Sequence, residues 1–144
     1  MSKTIETAKR RMMEKGNLPI DNTFAIISIT DPIAQPAKLD YDCPVYRFAF
    51  NDITEWCQEY PHLITFVQAQ GILKALLSHN KIIVHCNEAY SRSPAVALFA
   101  EKYLGFEWIG KHDSPFEYNT LVYNSLIEVY EIYKENFKRG LNLE

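Results

Sequence analysis

Short runs of apolar, β-branched residues alternate with helix-forming stretches along this chain of 144 residues. The runs predicted as strands are 23–29, 45–50 and 81–85, and the first of them is predicted to be buried. The stretches predicted as helices are 62–79, 95–104 and 116–137, with a loop at 105–115. Strands separated by helices require right-handed crossovers. We therefore predict a three-layer α/β fold, with a mostly parallel central sheet of about four strands and helices on both faces.

The chain is predicted to form a single domain over residues 1–144, because its length and its 47% apolar content suit one sizeable core. The charged segment 4–15 is predicted as a helix inside a helical N-terminal extension that spans 1–20. A further short helix is expected to begin within 53–60. The closing residues 143–144 have the character of a vector scar and carry no weight.

Composition excludes several classes of function. The formal net charge of −3 offers no basic footprint, which argues against a nucleic-acid partner. No apolar run approaches the ~18 residues that a membrane span needs. The three cysteines form no CxxC pair and follow no secretory leader, so we expect a reducing, cytoplasmic setting. The four histidines are scattered, and neither a metal site nor a cofactor is predicted.

The segment 85–94, His-Cys-Asn-Glu-Ala-Tyr-Ser-Arg-Ser-Pro, lies between the third predicted strand and the helix at 95–104. A loop that enters a helix N-terminus binds anions, because its N–H groups and the helix dipole converge on one point. A thiol at the start of that loop is pushed toward thiolate, and a guanidinium at its end can bind two phosphate oxygens. Cys86 and Arg92 occupy these places, at the carboxyl end of a strand where ligands of parallel sheets bind. The segment predicts cysteine-dependent phosphate chemistry.

Each residue of this loop then receives a predicted role. Cys86 is the nucleophile, Arg92 is the phosphate clamp, and Ser93 is expected to hydrogen-bond the sulfur. His85 is expected to order the loop from behind. The residues whose backbone N–H groups would cradle the phosphate are Asn87, Glu88, Ala89, Tyr90, Ser91 and Arg92.

The pattern His85-Cys86-x5-Arg92-Ser93 resembles the HCx5R[ST] signature of the protein tyrosine phosphatase superfamily. The position of the loop, well past mid-chain, resembles the compact dual-specificity-like branch. Segments similar to small bacterial and phage predicted tyrosine phosphatases are 25–32, 50–53, 91–97 and 118–123. The resemblance implies the phosphatase fold, a phosphocysteine intermediate formed without metal, and a phosphorylated protein or small phosphoester as substrate.

The resemblance also implies an aspartate that protonates the leaving oxygen. Asp52 matches best, because it follows the strand 45–50 and lies 34 residues before Cys86 (86 − 52). A helix cap is the alternative role for Asp52. The other candidates for the acid are Asp113, Asp31, Asp40 and Asp42.

Two residues depart from the family pattern. Ala89 stands where the family usually has glycine, and a left-handed backbone there would cost alanine about 1–2 kcal/mol. Glu88 brings negative charge to the loop rim unless it points away or pairs with Arg92 or Lys111. These features favour a rival function, a catalytically weak pseudophosphatase that binds phosphate. A third hypothesis is a phosphatase for small metabolites or nucleic-acid ends.

Five further side chains invite interpretation. Cys43 and Cys57 are either buried packing residues or thiols that could form a disulfide with an oxidised Cys86. Tyr90 is predicted either to touch an aromatic substrate or to pack at the rim. Trp56 and Trp108 could flank such a substrate, but packing in the core or at the rim is the expected role of both.

Overall fold

The computed structural model of the protein describes residues 2–111 and 117–140. One parallel sheet runs through it, in the order β3-β2-β4-β1-β5. The strands are β1 (Thr4–Lys9), β2 (Ala25–Thr30), β3 (Val45–Ala49), β4 (Lys81–Cys86) and β5 (Glu107–Trp108). The α/β class and the parallel sheet are confirmed, with five strands in place of about four.

The helices are α1 (Arg10–Glu14), α2 (Phe66–Ser78), α3 (Arg92–Leu104) and α4 (Thr120–Lys138). The helix predictions over 62–79, 95–104 and 116–137 are therefore confirmed, with different ends. A capping box starts α2, in which the Thr65 hydroxyl and the Gln68 side chain each satisfy the other's backbone N–H. Gly105, in the left-handed conformation at φ +77°, ends α3. None of the described helices has the length and apolarity that a bilayer crossing requires.

The core lies mainly between the sheet and the pair α2 and α3, with α4 packed across both helices. Alternate residues of β4 divide between the two faces of the sheet: Ile82 and Val84 join this core, while Ile83 joins a smaller cluster with Met13 and Ile26. Burial on both faces explains why β2 and β4 are almost continuously apolar. On the second face, the described residues that cover the sheet belong to the short α1 and to loops.

The helix predicted over 4–15 is wrong for its first half, and the helical extension over 1–20 is wrong with it. Residues Thr4–Lys9 form β1, which lies between β4 and β5 and pairs with β4 along its whole length. Pairing on both sides outweighs the weak helix preference of a charged segment. The β-branched residues Thr4, Ile5 and Thr7 were the available signal for a strand.

Two other predictions of local structure are corrected. Residues 53–60 contain no helix and follow an irregular path from the end of β3 toward Thr65. The loop predicted at 105–115 contains β5, whose Trp108 pairs with Ile5. A two-residue strand is too short for a periodic pattern to reveal.

Candidate active site

Cys86 is the last residue of β4, and its side chain is 3% exposed. Its sulfur lies 3.2 Å from the hydroxyl oxygen of Ser93, in the first turn of α3. The end of β4 and the first turn of α3 therefore meet at the Cys86 thiol. The thiol lies at the carboxyl edge of the sheet, where we predicted from the sequence that a ligand binds.

Arg92 begins α3 and is 3% exposed. Its Nη1 donates to the Asp31 carboxylate at 2.9 Å and to the Phe50 carbonyl at 2.7 Å. Its Nε is buried and has no hydrogen-bond partner in the described part of the chain. A buried donor without an acceptor costs about 1–3 kcal/mol, so this nitrogen calls for an external acceptor.

The backbone of the loop that follows Cys86 (87–93, the Cys86 loop) offers N–H groups that could bind an anion. Ala89 has φ +56°, alone among the described residues other than glycine, so the left-handed conformation suspected there is confirmed. Within residues 2–111 and 117–140, the backbone N–H groups of 88–93 donate no hydrogen bond to a backbone carbonyl in a loop or turn. Ser91, at the N-cap of α3, does not cap that helix. The N–H groups that a phosphate would need are therefore unused.

Asp52 lies beside this loop and is bound to it. Its Oδ1 accepts hydrogen bonds from the Ser91 hydroxyl and from the Asn119 side-chain amide, each at 2.8 Å. Asp52 caps no helix, because none follows it, so that alternative is wrong. A cavity of about 330 Å³ opens next to Asp52, with Tyr118 in its wall.

Asn119 is a site residue that sequence reasoning missed. It is 3% exposed, and besides Asp52 it binds the Ile53 carbonyl at 3.1 Å. Its backbone N–H donates to the Ser91 carbonyl at 3.0 Å, and its Oδ1 caps α4 at the N–H of Val122. Asparagine before a helix is a cap signal, but the helix was expected from 116 and Asn119 fell inside it.

His85 points to the other face of the sheet, away from the thiol. It is fully buried, and its Nε2 lies 2.7 Å from the hydroxyl oxygen of Ser28, its neighbour on β2. Burial lowers the pKa of His85 to about 4, although the Cys86 carbonyl acts in the opposite sense. The imidazole is thus neutral near pH 7 and packs behind the strand that leads into the loop. Ser28 was not anticipated, since a lone serine in an apolar run carries no signal.

The other candidate acids fall in different places. Asp31, at the end of β2, is the ion-pair partner of Arg92. Asp42 precedes β3 and lies at the amino end of the sheet, while Asp40 packs beside Gly16. Asp113 lies outside the described residues.

Neither pairing expected of Glu88 forms. Arg92 binds Asp31, and Lys111 binds Glu101 at 2.7 Å. Glu88 is exposed and takes part in no ion pair among the described residues. Its charge is not neutralised by either cation.

The two other cysteines are free thiols. Cys43 precedes β3 at the amino edge of the sheet, while Cys86 ends β4 at the carboxyl edge. A disulfide between them would need Cα atoms within about 7 Å, which this separation along parallel strands excludes. Burial raises the pKa of the Cys43 thiol, as suits a packing residue. A redox role for Cys57 stays a prediction.

The aromatic side chains near the loop differ in exposure. Tyr90 is 66% exposed and Trp56 is 61% exposed, whereas Trp108 is buried. Trp108 therefore packs in the core, and Trp56 lies at the surface. Substrate contact by Tyr90 stays a prediction.

No model of a known protein family, no curated protein and no solved structure matches this chain. Within the described ranges, no cluster of three or more histidine, cysteine, aspartate or glutamate residues could hold a metal ion. The site is thus defined by its own residues. A thiol, a clamped guanidinium, unused backbone donors and a carboxylate converge on one loop.

Proposed function

We propose that the protein is a cysteine-dependent phosphatase of the tyrosine phosphatase type, with the corresponding fold, that hydrolyses phosphomonoesters through a phosphocysteine intermediate. The observation that carries the proposal is the buried, unpartnered Nε of Arg92 beside a loop of unused N–H groups. A phosphate in the loop would give all of these donors an acceptor. The same groups would then stabilise the charge on the transferring phosphoryl group.

The proposed reaction has two steps. The Cys86 thiolate attacks phosphorus, so a P–S bond forms while the P–O bond to the leaving group breaks, and Asp52 gives its proton to the leaving oxygen. Water then attacks phosphorus and gives a proton to Asp52, the P–S bond breaks, and inorganic phosphate and the thiolate are released. The Ser93 hydroxyl, 3.2 Å from the sulfur, stabilises that thiolate by hydrogen bonding.

The hydrogen bonds of Asp52 support its role as the acid. Ser91 and Asn119 both donate to Oδ1, so Oδ2 is left to carry the proton. The same bonds fix the carboxyl group against the loop, which lowers the entropy cost of proton transfer.

We propose that the substrate is a phosphorylated protein and that the enzyme either is specific for phosphotyrosine or has dual specificity. A reducing cytoplasmic setting would keep Cys86 as a thiol. The exposed ring of Tyr90, four residues after Cys86, is available to a phosphorylated side chain at the loop rim. The alternative is a phosphate-binding pseudophosphatase. It is favoured by Ala89, whose φ of +56° is a strained conformation for alanine.

The test compares wild-type protein with Cys86→Ser and with the matched control Cys43→Ser. We expect Cys86→Ser to lose at least about 10³-fold in turnover of p-nitrophenyl phosphate, because a hydroxyl is a far weaker nucleophile than a thiolate. Binding of inorganic phosphate, measured by calorimetry, should persist in Cys86→Ser. Cys43→Ser should retain turnover.

The other outcomes separate the two functions. Wild-type protein that binds phosphate but does not turn over any member of a phosphopeptide and phosphometabolite panel is a binding module. Wild-type protein that neither binds phosphate nor turns over phosphoesters has neither function.

A further inference from the structure

A second cavity, of about 890 Å³, lies on the other face of the sheet, behind the Cys86 loop. Its floor includes Glu6 and Ala8 of β1, Ile83 of β4 and Trp108 of β5. Its volume lies within the range of about 300–1,000 Å³ that small-molecule sites occupy. Neither Cys86 nor Arg92 lines it, but Glu88, Ala89 and Tyr90 do, so the cavity and the proposed phosphate site share the Cys86 loop as a wall.

The cavity exists because, among the described residues, the helix over this part of the sheet is the short α1. Parallel sheets are normally covered on both faces. Here α1 is five residues long, and the smaller apolar cluster around Met13 and Ile26 covers the sheet beside β2 and β4. The apolar walls over β1 come from Met12, Leu18, Ile20 and Phe24.

The charged side chains of the cavity are predominantly acidic. Glu6, Glu88 and Glu117 line it, and none of them forms an ion pair within residues 2–111 and 117–140. The lysines are Lys9 and Lys111, and Lys111 is already bound to Glu101 at 2.7 Å. An excess of negative charge therefore faces an apolar space.

Glu6 is the most informative of these carboxylates. It is half-buried on β1, a strand that is paired on both sides, and it makes no side-chain hydrogen bond within the described chain. A carboxylate at such a place is costly unless a cation or a donor meets it. Three aromatic residues line the cavity, Phe24, Tyr90 and Trp108. Two of their rings already carry ammonium groups, since Lys81 lies over Phe24 and Lys111 over Trp108. A further cation would be drawn to the carboxylates rather than to these rings.

We propose that this cavity binds a small organic cation, an amine attached to an aromatic or branched apolar body. The apolar body fills the space between Met12, Leu18 and Phe24, and the ammonium group pairs with Glu6. This inference does not depend on the proposed phosphatase activity, because the two sites share no charged group that both would need.

The test measures binding of three probes of similar shape to the full chain by calorimetry: phenethylamine, phenethyl alcohol and hydrocinnamate. We expect the amine to bind at least about tenfold more tightly than the alcohol, and hydrocinnamate to bind most weakly. Glu6→Gln should weaken amine binding by about tenfold and leave alcohol binding unchanged. Glu107→Gln, a carboxylate on the adjacent β5 that does not line the cavity, is the matched control and should change neither.

The proposal is overturned if no probe binds, or if the amine and the alcohol bind alike. Alcohol binding in Glu6→Gln reports whether the cavity is intact. If that variant loses both probes, Glu6→Asp, which keeps a carboxylate on β1, becomes the deciding variant, and equal binding of the amine and the alcohol there overturns the proposal. Saturating inorganic phosphate should not displace the amine, and displacement would place the amine in the Cys86 loop instead.

Discussion

The two halves of the Cys86 loop are held in different ways. In the C-terminal half (91–93) every side chain has a partner outside its own half: Ser91 binds Asp52, Arg92 binds Asp31, and Ser93 meets Cys86. In the N-terminal half (87–90) the connection is a backbone bond from Arg10 to the Asn87 carbonyl at 3.1 Å. Among the described residues, no side chain of 87–90 has a hydrogen bond or an ion pair.

Within these seven residues, the C-terminal half is therefore held in place before a ligand binds, and the N-terminal half is free to adapt. The C-terminal half carries the groups that the proposed chemistry requires in fixed positions, and Asn119 connects it to α4. The N-terminal half carries the strained residue, Ala89, and the exposed side chains of Glu88 and Tyr90. Substitutions in the first group should therefore change activity, and substitutions in the second should change stability and loop conformation.

The largest effect should come from the acid that anchors the C-terminal half. Asp52→Asn keeps an oxygen to accept the bonds from Ser91 and Asn119 but removes the proton donor. We expect kcat for an alkyl or tyrosyl phosphate to fall about 10²–10⁴-fold, and kcat for a phosphate with a good leaving group to fall much less. Asp42→Asn, at the amino edge of the sheet, is the control. Equal losses on both substrates would remove Asp52 from the role of acid.

Arg92→Lys should have the next largest effect, because lysine cannot hold Asp31 and the Phe50 carbonyl while offering a planar pair of donors to phosphate. We expect kcat/KM to fall about 10²–10³-fold, the usual loss for one transition-state donor. The control is Arg47→Lys, since Arg47 also donates to a backbone carbonyl, that of Ala37 at 3.0 Å. An equal loss in both variants would show that general stability, and not the clamp, is responsible.

The difference between the two halves of the Cys86 loop also explains how much of the site could be predicted from the sequence. The C-terminal half was predictable, because Cys86, Arg92 and Ser93 stand at fixed spacing between a strand and a helix. The left-handed backbone of Ala89 was also anticipated from the glycine that the family has there. The contacts that anchor the loop were not, because Asp31 and Asn119 reach it from 61 and 28 residues away (92 − 31 and 119 − 91).

β1 shows the same limit at the level of the fold. A charged segment of Thr4–Lys9 has no strong periodicity, and its strand conformation depends on the pairing with β4 and β5. Local patterns identified the strands that are buried on both faces. They did not identify the strand whose Glu6 and Ala8 face a cavity.

His85, on the strand that leads into the loop, should make the free energy of unfolding depend on pH. The pKa of His85 is about 4 in the folded protein against its ordinary value of 6.5, so protonation favours the unfolded chain. The contribution is fully present above pH 6.5 and is lost as the pH falls toward 4. Between roughly pH 7.5 and pH 5 we expect a loss of about 2 kcal/mol in the free energy of unfolding, measured with urea. His85→Gln should flatten this dependence, and the exposed control His62→Gln should retain it. A wild-type stability that does not change over this interval would contradict the buried, neutral His85.

The smallest effect should come from Ala89→Gly, in the weakly held half. Glycine removes about 1–2 kcal/mol of left-handed strain at φ +56°, but it also raises the entropy of the unfolded chain by about 0.4–1 kcal/mol. We expect a net stabilisation of about 0.5–1 kcal/mol in urea unfolding at neutral pH. The reciprocal control is Gly105→Ala at φ +77°, where no atom lies within 4 Å of an added Cβ, so that only backbone strain acts and stability should fall. If Ala89→Gly instead destabilises the protein, the N-terminal half does not hold the left-handed conformation in solution. The unused N–H groups would then not be oriented in advance, and phosphate would have to organise the loop as it binds.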